Sequence, residues 1–332
     1  MSEKLREVLL NVIQSIVEDY TAQLVIAGAV VLVAFVGLII HFWNNNIAEH
    51  PVEEEEEPDE FGLYSGYEDA KPKHTASMFA VVGMTVAVLA VIVVYPVLNS
   101  YVEAREEYEE IAATYTTPVK VNVDPFSVSE INVNVIPSWY KMDVDFDALC
   151  EMNSETVGWL TVDGIDIIDY PIVQADDDDK YLHQTFNGTM STSGAIFLKA
   201  DSKSDMTDSF SVIYGHNMRD GSMFGSLKRF TNEPDILQET GGYFTIYTRG
   251  HAYRYLIFSV CTISANDEIY YTDYKAGTDD FRNLLNRFIA SSEFDPDIVP
   301  NDVSRVITLS TCSYSDEVRF TVTGMLMERY PQ

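Results

Sequence analysis

Basic residues are scarce in this chain. Its 21 lysines and arginines face 52 aspartates and glutamates, leaving a formal charge of −31. A protein so short of positive charge lacks the footprint that nucleic-acid phosphates demand, and its charge serves mainly solubility. Cysteine is scarcer still. Cys150, Cys261 and Cys312 are odd in number, and their spacing suggests neither a disulfide framework nor a zinc site. They are expected to be free thiols. The acidic run "ADDDDK" (Ala175–Lys180) lacks EF-hand spacing and reads as a solvated loop rather than a calcium site. The first apolar run begins late, follows acidic residues and has no small-x-small site near its end, which argues against a cleaved signal peptide.

What is present is apolar sequence gathered into blocks, within an overall hydrophobic content of 46%. Leu24–Ile40 holds no charge for 17 residues and Ser77–Leu98 none for 22. Each is long enough to cross a hydrocarbon layer ~30 Å thick, and uncharged runs of this length are uncommon in soluble cores. His41, Phe42 and Trp43 extend the first, with aromatics suited to an interface. Segments 24–43 and 77–98 are therefore read as transmembrane helices. The loop 44–76 carries "EEEEE" and, directly before the second segment, Lys71 and Lys73. Flanking lysines favour the cytoplasmic side, which puts this acidic loop inside and the C-terminal part outside. Residues 1–23 read as an amphipathic helix leading into the first crossing.

Beyond the second segment, "YVEAREEYEEIAATY" is rich in helix formers and predicts a helical stalk. The proline-punctuated stretch to residue 137 reads as an extended linker, and a globular domain follows at 138–332. There the pattern is mainly β. A short helix over "FDALCEM" precedes about eight candidate strands, from "TVGWLTV" to "VRFTVTGMLM", separated by turn residues. The count and spacing predict a closed barrel or sandwich. Peripheral helices are expected at Asp279–Ser291, apolar at Phe281, Leu284, Leu285 and Phe288, and within "SMFGSLKRF".

Three residues form a candidate constellation. Cys312 closes the strand "RVITLSTC" and Arg319 opens the next. If "SYSD" or "YSDE" forms the hairpin loop, the two fall at or near opposed positions, where Cβ atoms lie ~5 Å apart on one face. His216 ends "FSVIYGH" beside a turn, a usual station for catalysis on a β scaffold. A histidine can draw the proton from a thiol, and an arginine can hold an oxyanion. Each residue also has an ordinary reading: a buried small thiol, a hydrogen-bonded strand-end histidine, an arginine paired with a carboxylate. Spacing leaves both readings open.

The same residues carry a family likeness. "TLSTC" (Thr308–Cys312) resembles the TLxTC signature of sortases, the cell-wall transpeptidases of Gram-positive bacteria. "NSETVGWLTVDGIDIIDYPIVQADDDDKYL" (Asn153–Leu182), "GAIFL" and "VIYGHNMRDGSMFGSLKRF" (Val212–Phe230) are similar to the class B branch, as is the helix before the cysteine strand. The likeness covers roughly Phe146–Met327. It implies an eight-stranded sortase barrel with Cys312 as nucleophile, His216 as general acid/base and Arg319 as oxyanion stabiliser. Ser310, Thr311, Tyr181 and Leu182 would line the substrate groove. No metal or organic cofactor is implied. The partners implied are secreted proteins with a C-terminal sorting motif and an amine from a peptidoglycan precursor or a pilin. The cell membrane would hold the enzyme as a two-segment protein with its catalytic domain outside. Two departures stand out: class B sortases usually have a single membrane segment, and "ADDDDK" is more acidic than the family pattern. The competing functions are a cysteine hydrolase that passes the acyl group to water and an inactive tethered β-domain that only binds partners.

Overall fold

The computed structural model describes residues 37, 99–119, 136–312 and 317–331. Gly37 apart, the expected membrane segments 24–43 and 77–98, the helix 1–23 and the loop 44–76 lie outside these residues. Among the described residues no helix is long and apolar enough to cross a membrane. The chain divides into two units, one containing Ser100–Gln332 and the other Ile13–Asn99. The first carries the fold.

A helix, α1 (residues 99–115), leads into strand β1 (Thr116–Pro118), which pairs antiparallel with β2 (Met142–Val144). The expected stalk does not stand clear of the domain. Ala104, Tyr108 and Ile111, at near-helical spacing, are buried on α1, and Tyr108 and Ile111 join the main core. Helix α2 (Phe146–Met152) follows, its N-terminus capped by the Asp145 carboxylate accepting from Ala148 N at 3.0 Å.

Eight strands then close a barrel: β3 (Thr156–Val162), β4 (Asp169–Val173), β5 (Ile196–Leu198), β6 (Phe210–His216), β7 (Tyr243–Tyr247), β8 (His251–Ser264), β9 (Val306–Cys312) and β10 (Val318–Pro331). Around the wall the order is β10-β8-β7-β3-β4-β5-β6-β9, closing from β9 back to β10. This is the eight-stranded barrel expected from the sequence. Its pairings are antiparallel except β4 with β5 and β6 with β9. A parallel pair cannot be joined by a tight hairpin, so each involves a long excursion. The first holds the short helix α3 (Lys180–His183). The second holds a 3₁₀ turn (Gly225–Lys228), α4 (Arg229–Asn232), α5 (Asp235–Thr240), strands β7 and β8, and α6 (Asp279–Ser291).

Two hydrophobic clusters divide the barrel wall. Alternate residues such as Leu160, Ile172, Ile213, Leu309 and Val322 belong to the larger one. The intervening positions, among them Phe210, Val212 and Val306, meet Phe281, Leu284, Leu285 and Phe288 of α6. Those four repeat at i, i+3, i+4 and i+7, the single apolar stripe of a surface helix. Thr278 starts α6, its hydroxyl accepting from Phe281 N at 3.2 Å, and Asp279 and Asp280 suit the positive end of the helix dipole.

One partly buried carboxylate is held in this frame. Trp159, fully buried on β3, donates its indole N–H to Asp169 Oδ1 on β4 at 2.6 Å. Burial raises the Asp169 pKa above the ordinary carboxylate value, and the indole bond only partly opposes it. As pH rises through the ordinary value the unfolded chain gives up its proton first, so stability falls until the raised pKa is reached and stays at the lower level above it. Asp169→Asn keeps an acceptor for Trp159 and removes the charge. The variant is expected to gain stability relative to the parent as pH rises from acid to neutral, read from denaturant unfolding at each pH. Parallel pH profiles for the two proteins would refute this assignment.

Candidate active site

The register of three neighbouring strands gathers the candidate residues at one end of the barrel. β6 and β9 run parallel from Phe210 beside Val306 to His216 beside Cys312. β9 and β10 pair antiparallel, with Ser310 opposite Thr321. Arg319 lies on β10 two residues beyond Thr321 toward the turn, opposite Ile263 of β8 on its other side. Period-two alternation assigns strand positions 216, 312 and 319 to the face shared by Val212, Ser310 and Thr321. The turn residues 313–316 lie outside the described residues.

His216 is 6% exposed. Its Nε2 lies 2.8 Å from the Leu182 carbonyl oxygen. A carbonyl can only accept, so Nε2 carries the hydrogen and proton exchange is left to Nδ1. The ring is flanked by a loop that doubles back. Ala195 N donates to Tyr181 O at 2.9 Å and Ser191 N to His183 O at 2.9 Å. Gly194, at φ +57°, closes against the ring: a Cβ there would lie 2.4 Å from Tyr181 O and 3.0 Å from His216 Cδ2. Past His216 the chain folds back at once, with Phe224 N donating to His216 O at 2.9 Å. Gly225 permits that fold, since a Cβ there would sit 1.9 Å from the Met218 carbonyl oxygen.

The other four candidates each make contacts within the protein. The Tyr181 hydroxyl is buried. It donates to Glu155 Oε2 and accepts from Asn153 Nδ2 at 2.9 Å. Burial works against the Glu155 carboxylate, but bonds from Lys180 and Tyr181 hold its pKa below the usual value. Burial, then the bond to Glu155, pushes the Tyr181 phenol well above its ordinary pKa. It therefore remains a neutral donor. Leu182, partly buried, contributes its carbonyl to His216. Ser310 is fully buried, its hydroxyl 2.8 Å from that of Tyr270. Thr311 Oγ1 accepts from Phe320 N at 2.9 Å, where the β9–β10 ladder ends.

Sequence reasoning named Tyr181 and Leu182 but missed what they hold. It also missed Tyr270 and Gly194. Tyr270 lies in a polar segment with no period to mark it, and Gly194 shows only as a glycine before a strand. The acidic run does local work: Asp177 Oδ1 accepts from Asp179 N at 2.9 Å and Lys180 N at 2.8 Å, starting α3. Asp178 Oδ1 accepts from Ala200 N at 2.7 Å. Among the described residues no group of three or more His, Cys, Asp or Glu side chains is arranged to hold a metal ion. Cys150 is partly buried. Buried Cys261 has its sulfur 3.3 Å from Thr321 Oγ1.

A closed mixed barrel with a histidine, a cysteine and an arginine drawn to one end is the frame of a cysteine acyl-transfer enzyme. The family model described as a sortase domain matches residues 160–327. Sortase B of Listeria monocytogenes is 31% identical over 186 residues, which make up 54% of this chain and 73% of that protein. The crystal structure of sortase B from Bacillus anthracis superposes with a TM-score of 0.56 at 28% identity, over 70% of this chain and 100% of that one. Sortase B of Clostridium perfringens gives a TM-score of 0.50 at 34% identity, over 55% and 99%. The chain belongs to the sortase family, and its relatives place it in class B. It is a cysteine transpeptidase, an enzyme that takes a protein bearing a sorting motif and an amine acceptor.

The Ser310–Tyr270 contact is open to measurement. Ser310→Ala and Tyr270→Phe each remove one side of this buried contact and are expected to cost about 0.5–3 kcal/mol apiece. The double variant should cost less than the sum, a coupling of roughly 0.5–3 kcal/mol by equilibrium unfolding. Additive costs would mean that the two hydroxyls do not interact in solution.

Proposed function

We propose that Cys312 is the nucleophile, His216 the general acid/base and Arg319 the oxyanion stabiliser of the transpeptidation. The observation that carries this reading is the register of His216 beside Cys312 across a parallel pair; Arg319 follows by its place on the adjoining strand, two residues before Thr321, which pairs with Ser310. In the first half-reaction the Cys312 thiolate attacks a backbone carbonyl within the sorting motif. The carbonyl electrons move to oxygen, and the guanidinium of Arg319 stabilises that charge. His216 delivers a proton from Nδ1 to the departing amine, the C–N bond breaks and a thioester remains. In the second, the acceptor amine attacks the thioester. His216 Nδ1 takes the amine's proton, and the thiolate leaves as the new amide forms. The bond from Nε2 to the Leu182 carbonyl holds the ring in one orientation through both steps.

The acyl donors are secreted proteins with a C-terminal sorting motif, and the acceptor is an amine of a peptidoglycan precursor or a pilin. Segments 24–43 and 77–98 anchor the enzyme in the cell membrane, with 44–76 cytoplasmic and the catalytic domain, 138–332, outside. What supports the anchor is sequence alone: 17 and 22 uncharged residues, with Lys71 and Lys73 at the inner edge. Tethering where both substrates emerge raises their effective concentration.

Mass spectrometry of the enzyme with threonine-containing sorting peptides and an amine acceptor tests the reading. An acyl adduct on Cys312 and an amine-ligated product are expected, both absent in Cys312→Ala. His216→Ala should lose turnover. Arg319→Lys, which keeps the charge but not the planar fork, should lose ~10²–10³-fold in kcat. Wild-type activity in the Cys312 or His216 variant would overturn the assignment. Cleavage by water despite abundant amine would point to a hydrolase.

A further inference from the structure

Helix α1 lies apart from the three proposed catalytic residues, yet two successive side chains of α1 grip the loop that flanks His216. The Tyr108 hydroxyl donates to Gly194 O at 2.8 Å and accepts from Phe186 N at 3.2 Å. Glu107 divides its carboxylate between the Thr185 hydroxyl at 2.9 Å and Asn187 N at 3.0 Å. Both ends of the segment 185–194 are thus tied to one turn of α1. Tyr108 is buried and packs edge-on against Tyr170, with ring centroids 5.2 Å apart, so its hydroxyl is held rather than searching.

Gly194 joins this clamp to the chemistry. It takes the Tyr108 hydroxyl on its carbonyl, and a Cβ built on it would meet the Tyr181 carbonyl oxygen at 2.4 Å and His216 Cδ2 at 3.0 Å, so no side chain fits between it and the ring. Tyr181 is followed by Leu182, whose carbonyl accepts the His216 Nε2 hydrogen. A small displacement of residues 191–195 therefore reaches the ring at Cδ2 directly and at Nε2 through Tyr181–Leu182. We infer that α1 is part of the catalytic apparatus, with Tyr108 a positioning residue that sets the orientation of His216 through Gly194. This rests on the proposed role of His216. It assigns to the segment before the barrel a task beyond linking the domain to what precedes it.

Tyr108→Phe in the full-length chain keeps the ring on Tyr170 and removes both hydroxyl bonds. The expected result is a loss of about tenfold in kcat. KM for the sorting peptide should change less than kcat, because the substitution acts on the orientation of the ring that moves the proton. The ¹⁵N resonances of the His216 ring should shift, and its titration midpoint with them. Glu107→Ala, which frees the other end of the same segment, should move the same readouts in the same direction. It also decides the matter if Tyr108→Phe fails to fold. A merely structural clamp would lower Tm while kcat and the His216 resonances stay as in the parent, and that result overturns the inference. His216→Ala, run alongside, separates the two levels. If it kills turnover while the Tyr108 and Glu107 variants behave as the parent, only the positioning role falls. If it leaves turnover intact, the catalytic reading of His216 falls, and the inference with it.

Discussion

The parallel pairing of β6 with β9 is the constraint on which the site depends. Both strands run toward the same end of the barrel, so their last residues, His216 and Cys312, finish side by side. The hairpin from β9 to β10 then begins its return strand at that end, which brings Arg319 into line. Had β6 and β9 paired antiparallel, the histidine and cysteine would sit at opposite ends of the wall, separated by the length of a seven-residue strand. Parallel pairing demands a long connection, and here that connection folds into two further strands and α6. The same excursion that permits the pairing supplies the helix that covers part of its outer face.

That face changes character along its length. Beneath α6 it is apolar, with Phe210, Val212 and Val306 against Phe281 and Phe288. Toward the site it becomes polar but remains buried. Thr308 and Thr323 share a hydroxyl contact at 3.0 Å, Ser310 meets Tyr270, and the Thr321 hydroxyl donates to Cys261 O at 3.0 Å. Paired hydroxyls of this kind add little net stability, but losing one partner is costly. The Thr308–Thr323 and Thr321–Cys261 contacts tie neighbouring strands laterally. The seat of His216 is built differently on its loop side, where the Leu182 carbonyl accepts from the ring and Gly194 leaves no room for a Cβ.

Much of the fold was legible in the sequence. The strands over Thr156–Val162 and Phe210–His216 and the helices Phe146–Met152 and Asp279–Ser291 fall where apolar runs and apolar period set them. Strand ends were less clear. β8 and β10 each run 14 residues, several beyond the apolar run, because each is held by pairing with the other. Residues 99–115 form the expected helix, but charge on most of its surface concealed the stripe of Ala104, Tyr108 and Ile111 that docks it. The residues assigned to the groove, Ser310, Thr311 and Tyr181, have their hydroxyls turned to partners inside the protein. A sequence motif marks which residues matter without saying which way they face.

By itself the sequence determined the class of fold, the placement of most of its strands and the family. These follow from local properties: the two-residue period of a half-buried strand, the 3.6-residue period of a surface helix, and a short signature around one cysteine. The tertiary structure alone decided that β6 lies beside β9, that the Leu182 carbonyl accepts from His216, and that Tyr108 reaches Gly194 across 86 positions of sequence. Such contacts join segments distant in the chain, through backbone groups common to every residue. No local pattern encodes them, and they exist only once the barrel has closed.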